Sequence, residues 1–180
     1  MTDTKLIEDL KGFDDAVLCL IVRDGELKIG AQLQVANAAD ARAMSFAGFT
    51  AATSTASVAG VIYLNSQATI SVGILVAAVI TSIGLIISLI LAILSARSTK
   101  FGFPGSRPGT WTPDQWQNGN KGPHTLKQAM LEQALCIDQH IRENEIVMKS
   151  CGKMLNRAIY TALGSVVSGA LIVAHTMLFI

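Results

Sequence analysis

Polar and hydrophobic positions in this chain separate into long blocks rather than alternating over a few residues. Between Arg42 and Arg97, 54 consecutive residues contain no Asp, Glu, Lys or Arg, and a second uncharged run of 23 residues, 158–180, closes the chain. A helix that crosses the hydrocarbon core of a bilayer needs about 20 mostly apolar residues at 1.5 Å each. The first run therefore predicts two spans, at about 43–64 and 69–96, and the second predicts a third at 158–180. The link Asn65-Ser66-Gln67 is short and uncharged, so the first two spans form a tight antiparallel hairpin. The expected fold class is an all-α membrane protein: three transmembrane helices, with a long cytoplasmic helix running into the third span.

The three spans are of different kinds. The first is built largely from Ala, Ser, Thr and Gly. At every fourth position Gly48, Ala52, Ala56 and Gly60 form one small stripe, with Ala47, Ala51, Thr55 and Ala59 beside it. Such stripes let helix backbones approach closely in lipid, where no hydrophobic drive holds helices together. The hydroxyls at 50, 53, 54, 55 and 57 can bond across helices or back to their own carbonyls. This span reads as the packed inner helix of a bundle or oligomer, with a water-lined pore as the sharper alternative. The second span is dense in Ile, Leu and Val, as a lipid-facing helix should be, with narrower places at Gly73, Ala77, Gly84 and Ser88. In the third, Gly164 with Ser168 and Ser165 with Gly169 supply a close-packing face. His175 lies near its end, where a hydrogen bond to a neighbouring helix or to headgroups is the plain reading and proton transfer the other.

Outside the spans, residues 98–124 are rich in Gly and Pro, which prevents a long helix. Trp111 and Trp116 stand in this loop beside basic residues, a placement typical of the membrane interface; a binding site for a partner or nucleotide is the alternative. Thr125 with Gln128 makes a capping-box pattern that starts a helix over 125–157. Apolar or small residues recur there at Met130, Ala134, Ile137, Ile141, Met148, Cys151 and Leu155, with Asn144 in the one polar slot. That is a heptad seam, and a lone Asn in such a seam can set register and oligomer state. The seam can equally pack on the chain's own N-terminal segment. Within that segment, Leu6, Leu10, Phe13 and Val17 have helical spacing, whereas the Asp24-Gly25 step in 16–30 allows either a β-hairpin or a helical arm. The chain thus divides into an N-terminal segment 1–42, a transmembrane hairpin 43–96, a Pro/Gly/Trp loop 97–124, a helix 125–157 and a last span 158–180.

Composition sharpens this picture. Hydrophobic residues make up 51% of the 180 and charged residues 15%, against roughly 25% charged in an ordinary globular domain. Mean hydropathy is +0.46. A soluble enzyme domain does not fit, and a net charge of +1 gives no sign of nucleic-acid binding. The first 15 residues hold five acids and two bases, the wrong sign for a secretory signal. Residues 97–157 carry nine Lys/Arg and five Asp/Glu, while the hairpin turn and C-terminal tail carry no Lys or Arg. The positive-inside rule then keeps the N-terminus and 97–157 in the cytoplasm and puts the C-terminus on the outer side. Residues 1–42 hold eight acids and five bases, so the two cytoplasmic pieces are complementary in charge and should dock. Cys19, Cys136 and Cys151 lack any C-x-x-C spacing and read as reduced thiols, and His124, His140 and His175 have no clustered partners. No metal, cofactor or catalytic residue is expected: there is no Gly-x-Ser-x-Gly, P-loop or Gly-x-Gly-x-x-Gly, and the spans hold no acid of the kind a proton-coupled transporter uses.

The stretch Ala39-Asp40-Ala41-Arg42-Ala43-Met44-Ser45-Phe46, opening a small-residue span, resembles the Ala-Asp-x-Lys/Arg-Ala entry of one bacterial membrane family. These are the transmembrane effectors of cyclic-nucleotide anti-phage systems (Pycsar effectors) and their SLATT-type relatives. The layout over 31–180 is also similar. The resemblance implies an oligomeric inner-membrane protein that impairs membrane integrity when triggered. The 40 residues before the first span are too few for the fused nucleotide-sensing domain of some effectors, which leaves the trigger to a separate sensor or to a site made by oligomerisation. Asp40 and Arg42 match the entry motif. Being two residues apart they do not face each other on a helix, so each needs another partner, with Arg142, Glu143 and Glu145 the candidates. The alternative reading is an accessory or scaffold subunit of a larger membrane complex, its stripes contacting a different protein.

Overall fold

The computed structural model of the chain describes residues 3–67, 71–96, 101–105 and 125–178. All its regular elements are helices: α1 (Asp3–Lys11), α2 (Asp15–Asn65), α3 (Val72–Ser95) and α4 (Leu126–Leu178). The last three are long and apolar enough to cross a membrane. One expectation left open is resolved by α2. Residues 16–30 are helical and belong to the same helix as the first apolar run, so the Asp24-Gly25 step makes no turn. The helical spacing that begins at Lys5 is broken between α1 and α2, where the Asp14 carboxylate accepts the Val17 N–H at 2.8 Å and caps α2. The capping box at the start of α4 forms in both directions. The Thr125 N–H donates to Gln128 Oε1 at 3.1 Å, and the Gln128 N–H donates to Thr125 Oγ1 at 3.2 Å. From there the heptad stretch and the final apolar run lie on one unbroken helix.

The chain folds as two compact units, Met1–Ala36 with Thr99–Met148, and Asn37–Ser98 with Lys149–Ile180. The boundaries at 36/37 and 148/149 lie six and nine residues before the charge-free runs that start at 43 and 158.

In the first unit, the start of α2 docks on the first half of α4. Leu18 and Leu10 pack with Leu131 and Ala134, and further along both helices Ile29 packs with Ile137 and Ile141. Among the described residues an ion pair crosses this docking, Lys28–Glu145 at 3.8 Å, with both side chains about half exposed; pairs of that kind contribute about 0–1 kcal/mol. Gly25 matters here for closeness rather than for turning, since a Cβ at that position would run into the Ile137 side chain.

In the second unit, Ala47 of α2, Ala92 of α3 and Ala158 of α4 meet at the centre, with Phe46, Leu89 and Leu91 around them. Alanine at the meeting point brings three backbones close, and hydroxyls exploit that closeness. On α3, Ser95, Ser88 and Thr81 donate to the carbonyls of Cys151, Ala158 and Ser165 at 2.9, 2.7 and 3.4 Å. Donors and acceptors both recur every seven residues in opposite directions, so α3 and this part of α4 form an antiparallel pair stitched by a ladder of hydroxyl-to-carbonyl bonds. Between α2 and α3, Ser57 and Ser82 share a hydrogen bond of 2.7 Å. Gly84 sits against Ser165, and Gly169 against Thr81. Of the two predicted pairs on the third span, Ser165 and Gly169 face inward while Gly164 and Ser168 are exposed.

Candidate functional site

The small-residue stripe of the first span lies on the outside of the second unit. Gly48, Ala52 and Ala56 are exposed and Gly60 is half-buried, and nothing lies within 4 Å of a Cβ built at Gly48 or Gly60. The face that α2 buries in its own chain is instead Ala43, Ala47, Thr50 and Ser54. Helical geometry explains the difference. A four-residue step advances about 400°, so a strict every-fourth stripe drifts about 40° per step around the helix, whereas alternating steps of four and three stay on one face. Of the neighbouring stripe, Ala47 is buried, Ala51 half-buried, and Thr55 and Ala59 exposed.

Most hydroxyls of this span are satisfied within α2. Ser45, Thr50, Thr53, Ser54 and Thr55 each donate to the carbonyl four residues earlier, at 2.6–2.9 Å. The exposed stripe is therefore a shallow, small-residue strip flanked by the exposed large side chains Met44, Phe49 and Ile62.

In the first unit the heptad seam has found partners inside the chain. Ile137 and Ile141 are buried against α2, Met148 is half-buried, and Asn144 is wholly inaccessible. The Asn144 amide is saturated. Its Oδ1 accepts the Gly102 N–H at 2.8 Å, and its Nδ2 donates to the Gly102 carbonyl at 3.1 Å and to Gln32 Oε1 at 3.3 Å. Gln32 in turn donates from Nε2 to the Ile141 carbonyl at 3.3 Å. One side chain thus grips a peptide of the 101–105 segment on both edges while also holding α2. The segment lies close to α4, since a Cβ at Gly102 would strike the His140 side chain. Gln32 and Gly102 are functional partners the sequence did not suggest; a polar residue opposite a lone seam Asn was the available signal for Gln32.

Asp40 and Arg42 are both exposed. In the first unit, Arg142 pairs with Asp138 at 3.0 Å, Glu143 accepts from Gln139 at 2.7 Å and Glu145 pairs with Lys28 of α2 at 3.8 Å. The Asp40 carboxylate instead acts on Cys151. Burial, and then the field of Asp40, raise this thiol above its ordinary value of 9.0. Trp111 and Trp116 lie outside the described residues. Cys136 Sγ and His140 Nε2 stand 3.8 Å apart one turn along α4. Among the described residues no group of three or more His, Cys, Asp or Glu side chains could hold a metal ion. Compared with protein-family models, curated proteins and solved structures, the chain gives no match.

Proposed function

We propose that this chain is an oligomeric membrane protein, inserted through α2, α3 and α4, that impairs membrane integrity when triggered, as a bacterial defence effector would. In this reading the bilayer and further copies of the chain are its partners. The N-terminus and residues 97–157 lie in the cytoplasm of an inner membrane, and the C-terminus in the periplasm. The observation that carries the reading is the strip Gly48, Ala52 and Ala56, which stays exposed after α2 has used a different face inside its own chain. Small residues left open on an apolar helix are the form of surface by which helices associate in lipid.

The experiment is membrane potential in bacteria after induced expression, read with a voltage-sensitive dye beside the triple variant Gly48→Leu, Ala52→Leu, Ala56→Leu. Depolarisation by the wild type and not by the variant is expected, together with loss of the homo-oligomer. Unchanged oligomer and unchanged depolarisation in the variant would sink the reading. Stoichiometric co-purification of foreign subunits with a silent wild type would move the assignment to an accessory subunit of a larger complex.

A further inference from the structure

Past Glu145 the sequence contains no Asp or Glu, and its last three bases, Lys149, Lys153 and Arg157, are spaced four apart. All three are exposed on α4. At about 100° per residue the row drifts only about 80° from first to last. Tyr160, 72% exposed, falls inside that arc, and the exposed Val167 and Leu171 continue the same flank toward the C-terminus. Among the described residues none of the three bases is in an ion pair. The second unit holds one acid, Asp40. Its field reaches Cys151, which by helical spacing lies about 160° around α4 from Lys153. The row is therefore an uncompensated positive flank that passes directly into an apolar one.

The hydroxyl ladder sets the depth of this row. Cys151 lies opposite Ser95 at the end of α3, and Ala158 lies opposite Ser88. Lys153 and Arg157 thus stand level with the last two turns of α3. That helix has 24 residues, about 36 Å of length against a hydrocarbon core of about 30 Å. With α3 across the core, its end lies at the headgroups. Helical side chains lean toward the N-terminus, which on α4 is the direction out of the core, so a charge at 157 is carried toward the level of 153. Long basic side chains take this posture at the ends of spans.

We infer that the flank of Lys149, Lys153, Arg157 and Tyr160 is a binding site for an anionic phospholipid. Its phosphate lies between Lys153 and Arg157, Lys149 adds to the field, and an acyl chain runs along Tyr160, Val167 and Leu171. A zwitterionic headgroup brings its own cation, which offsets the phosphate, so the site discriminates by net charge. The inference rests on the insertion of α4 proposed above, and not on assembly or permeabilisation. A Lys or Arg near the bilayer surface strengthens binding to anionic lipid by about fivefold.

The test is native mass spectrometry of the full chain released from detergent micelles, titrated with phosphatidylglycerol, phosphatidylcholine or inorganic phosphate. One phosphatidylglycerol is expected to bind about tenfold or more tighter than phosphatidylcholine, and inorganic phosphate is expected not to displace it. Lys153→Gln with Arg157→Gln should bring the two lipids within about twofold of each other. Lys153→Arg with Arg157→Lys keeps both charges and should hold the preference. Lys5→Gln with Lys11→Gln removes the same charge from exposed positions of α1 and should hold it too. Equal binding of the two lipids by the wild type, or equal loss in both Gln pairs, overturns the site. Displacement by inorganic phosphate makes it a site for free anions and overturns the lipid as its occupant. Flotation with phosphatidylcholine vesicles at alkaline pH separates this inference from the reading it rests on. A chain that floats yet shows no lipid preference overturns the site alone, and a chain that does not float overturns both.

Discussion

Removing the α3–α4 ladder one rung at a time should give graded losses whose order is set by the geometry of each bond. Ser88 is the strongest rung: it is wholly buried and donates to the Ala158 carbonyl at 2.7 Å. Ser95 is 3% exposed and donates to the Cys151 carbonyl at 2.9 Å. Thr81 is the weakest, because its one proton is shared between the Ala77 carbonyl at 2.9 Å and the Ser165 carbonyl at 3.4 Å. The acceptors lie within α4, so their intrahelical bonds remain when the hydroxyl goes and no carbonyl is orphaned. The loss is then the net value of an interhelical bond in lipid, about 0.6 kcal/mol on average and up to about 1.7. That range assigns about 1–1.5 kcal/mol to Ser88→Ala, somewhat less to Ser95→Ala and under about 0.5 to Thr81→Val. The rungs stand about 10 Å apart along the helix, so the triple variant should lose close to the sum, about 2–3 kcal/mol. Unfolding of the full chain in lipid bicelles by a graded denaturing detergent, followed by circular dichroism, measures each value. Thr81→Val as damaging as Ser88→Ala, or a triple variant within about 0.5 kcal/mol of wild type, would refute the ladder as a source of stability.

Two further outcomes follow from contacts described above. Gly25→Ala should destabilise the first unit by about 1–3 kcal/mol through its collision with Ile137, and in an Ile137→Ala background the same change should be close to neutral; equal costs in both backgrounds would refute the contact. At Cys151, burial and the Asp40 carboxylate both penalise the thiolate, so the neutral thiol persists to higher pH and alkylation of Cys151 rises only above its ordinary range. Asp40→Asn removes one of those two causes and should move the alkylation profile of Cys151 to lower pH, read by mass spectrometry of the labelled peptide; an unmoved profile would refute the coupling.

The all-helical outline, with three helices long and apolar enough to cross a membrane, was legible because it depends on where charges are missing, a property of the sequence alone. The capping box at Thr125 and Gln128 was legible for a similar reason, both partners being local. What could not be read was the identity of remote partners. Asp24-Gly25 looks like a turn because the same glycine that permits a turn also permits a close approach, and only Ile137 on another helix decides between them. The stripe of Gly48 and Ala52 looked like a packed face because small residues mark close packing, but the spacing of Ala43, Ala47, Thr50 and Ser54 follows the helix surface better. The hydroxyls of Thr81, Ser88 and Ser95 stand seven apart in the sequence, yet their acceptors are backbone carbonyls, which leave no trace in residue identity.

The ladder also bears on how α3 finds its place beside α4. Donors at 81, 88 and 95 face acceptors at 165, 158 and 151, so a slip of seven residues would still make two of the three bonds. The hydroxyls alone therefore leave neighbouring registers nearly degenerate. The glycine seats do not share that period: Gly73 receives Thr176 and Gly84 receives Ser165, eleven residues apart on both helices. Slipping by seven would bring Ala77 or Leu91 against Ser165, where a Cβ has no room. Two scales of unequal spacing coincide at a single setting, as on a vernier, and the helix pair is threaded by the mismatch between them.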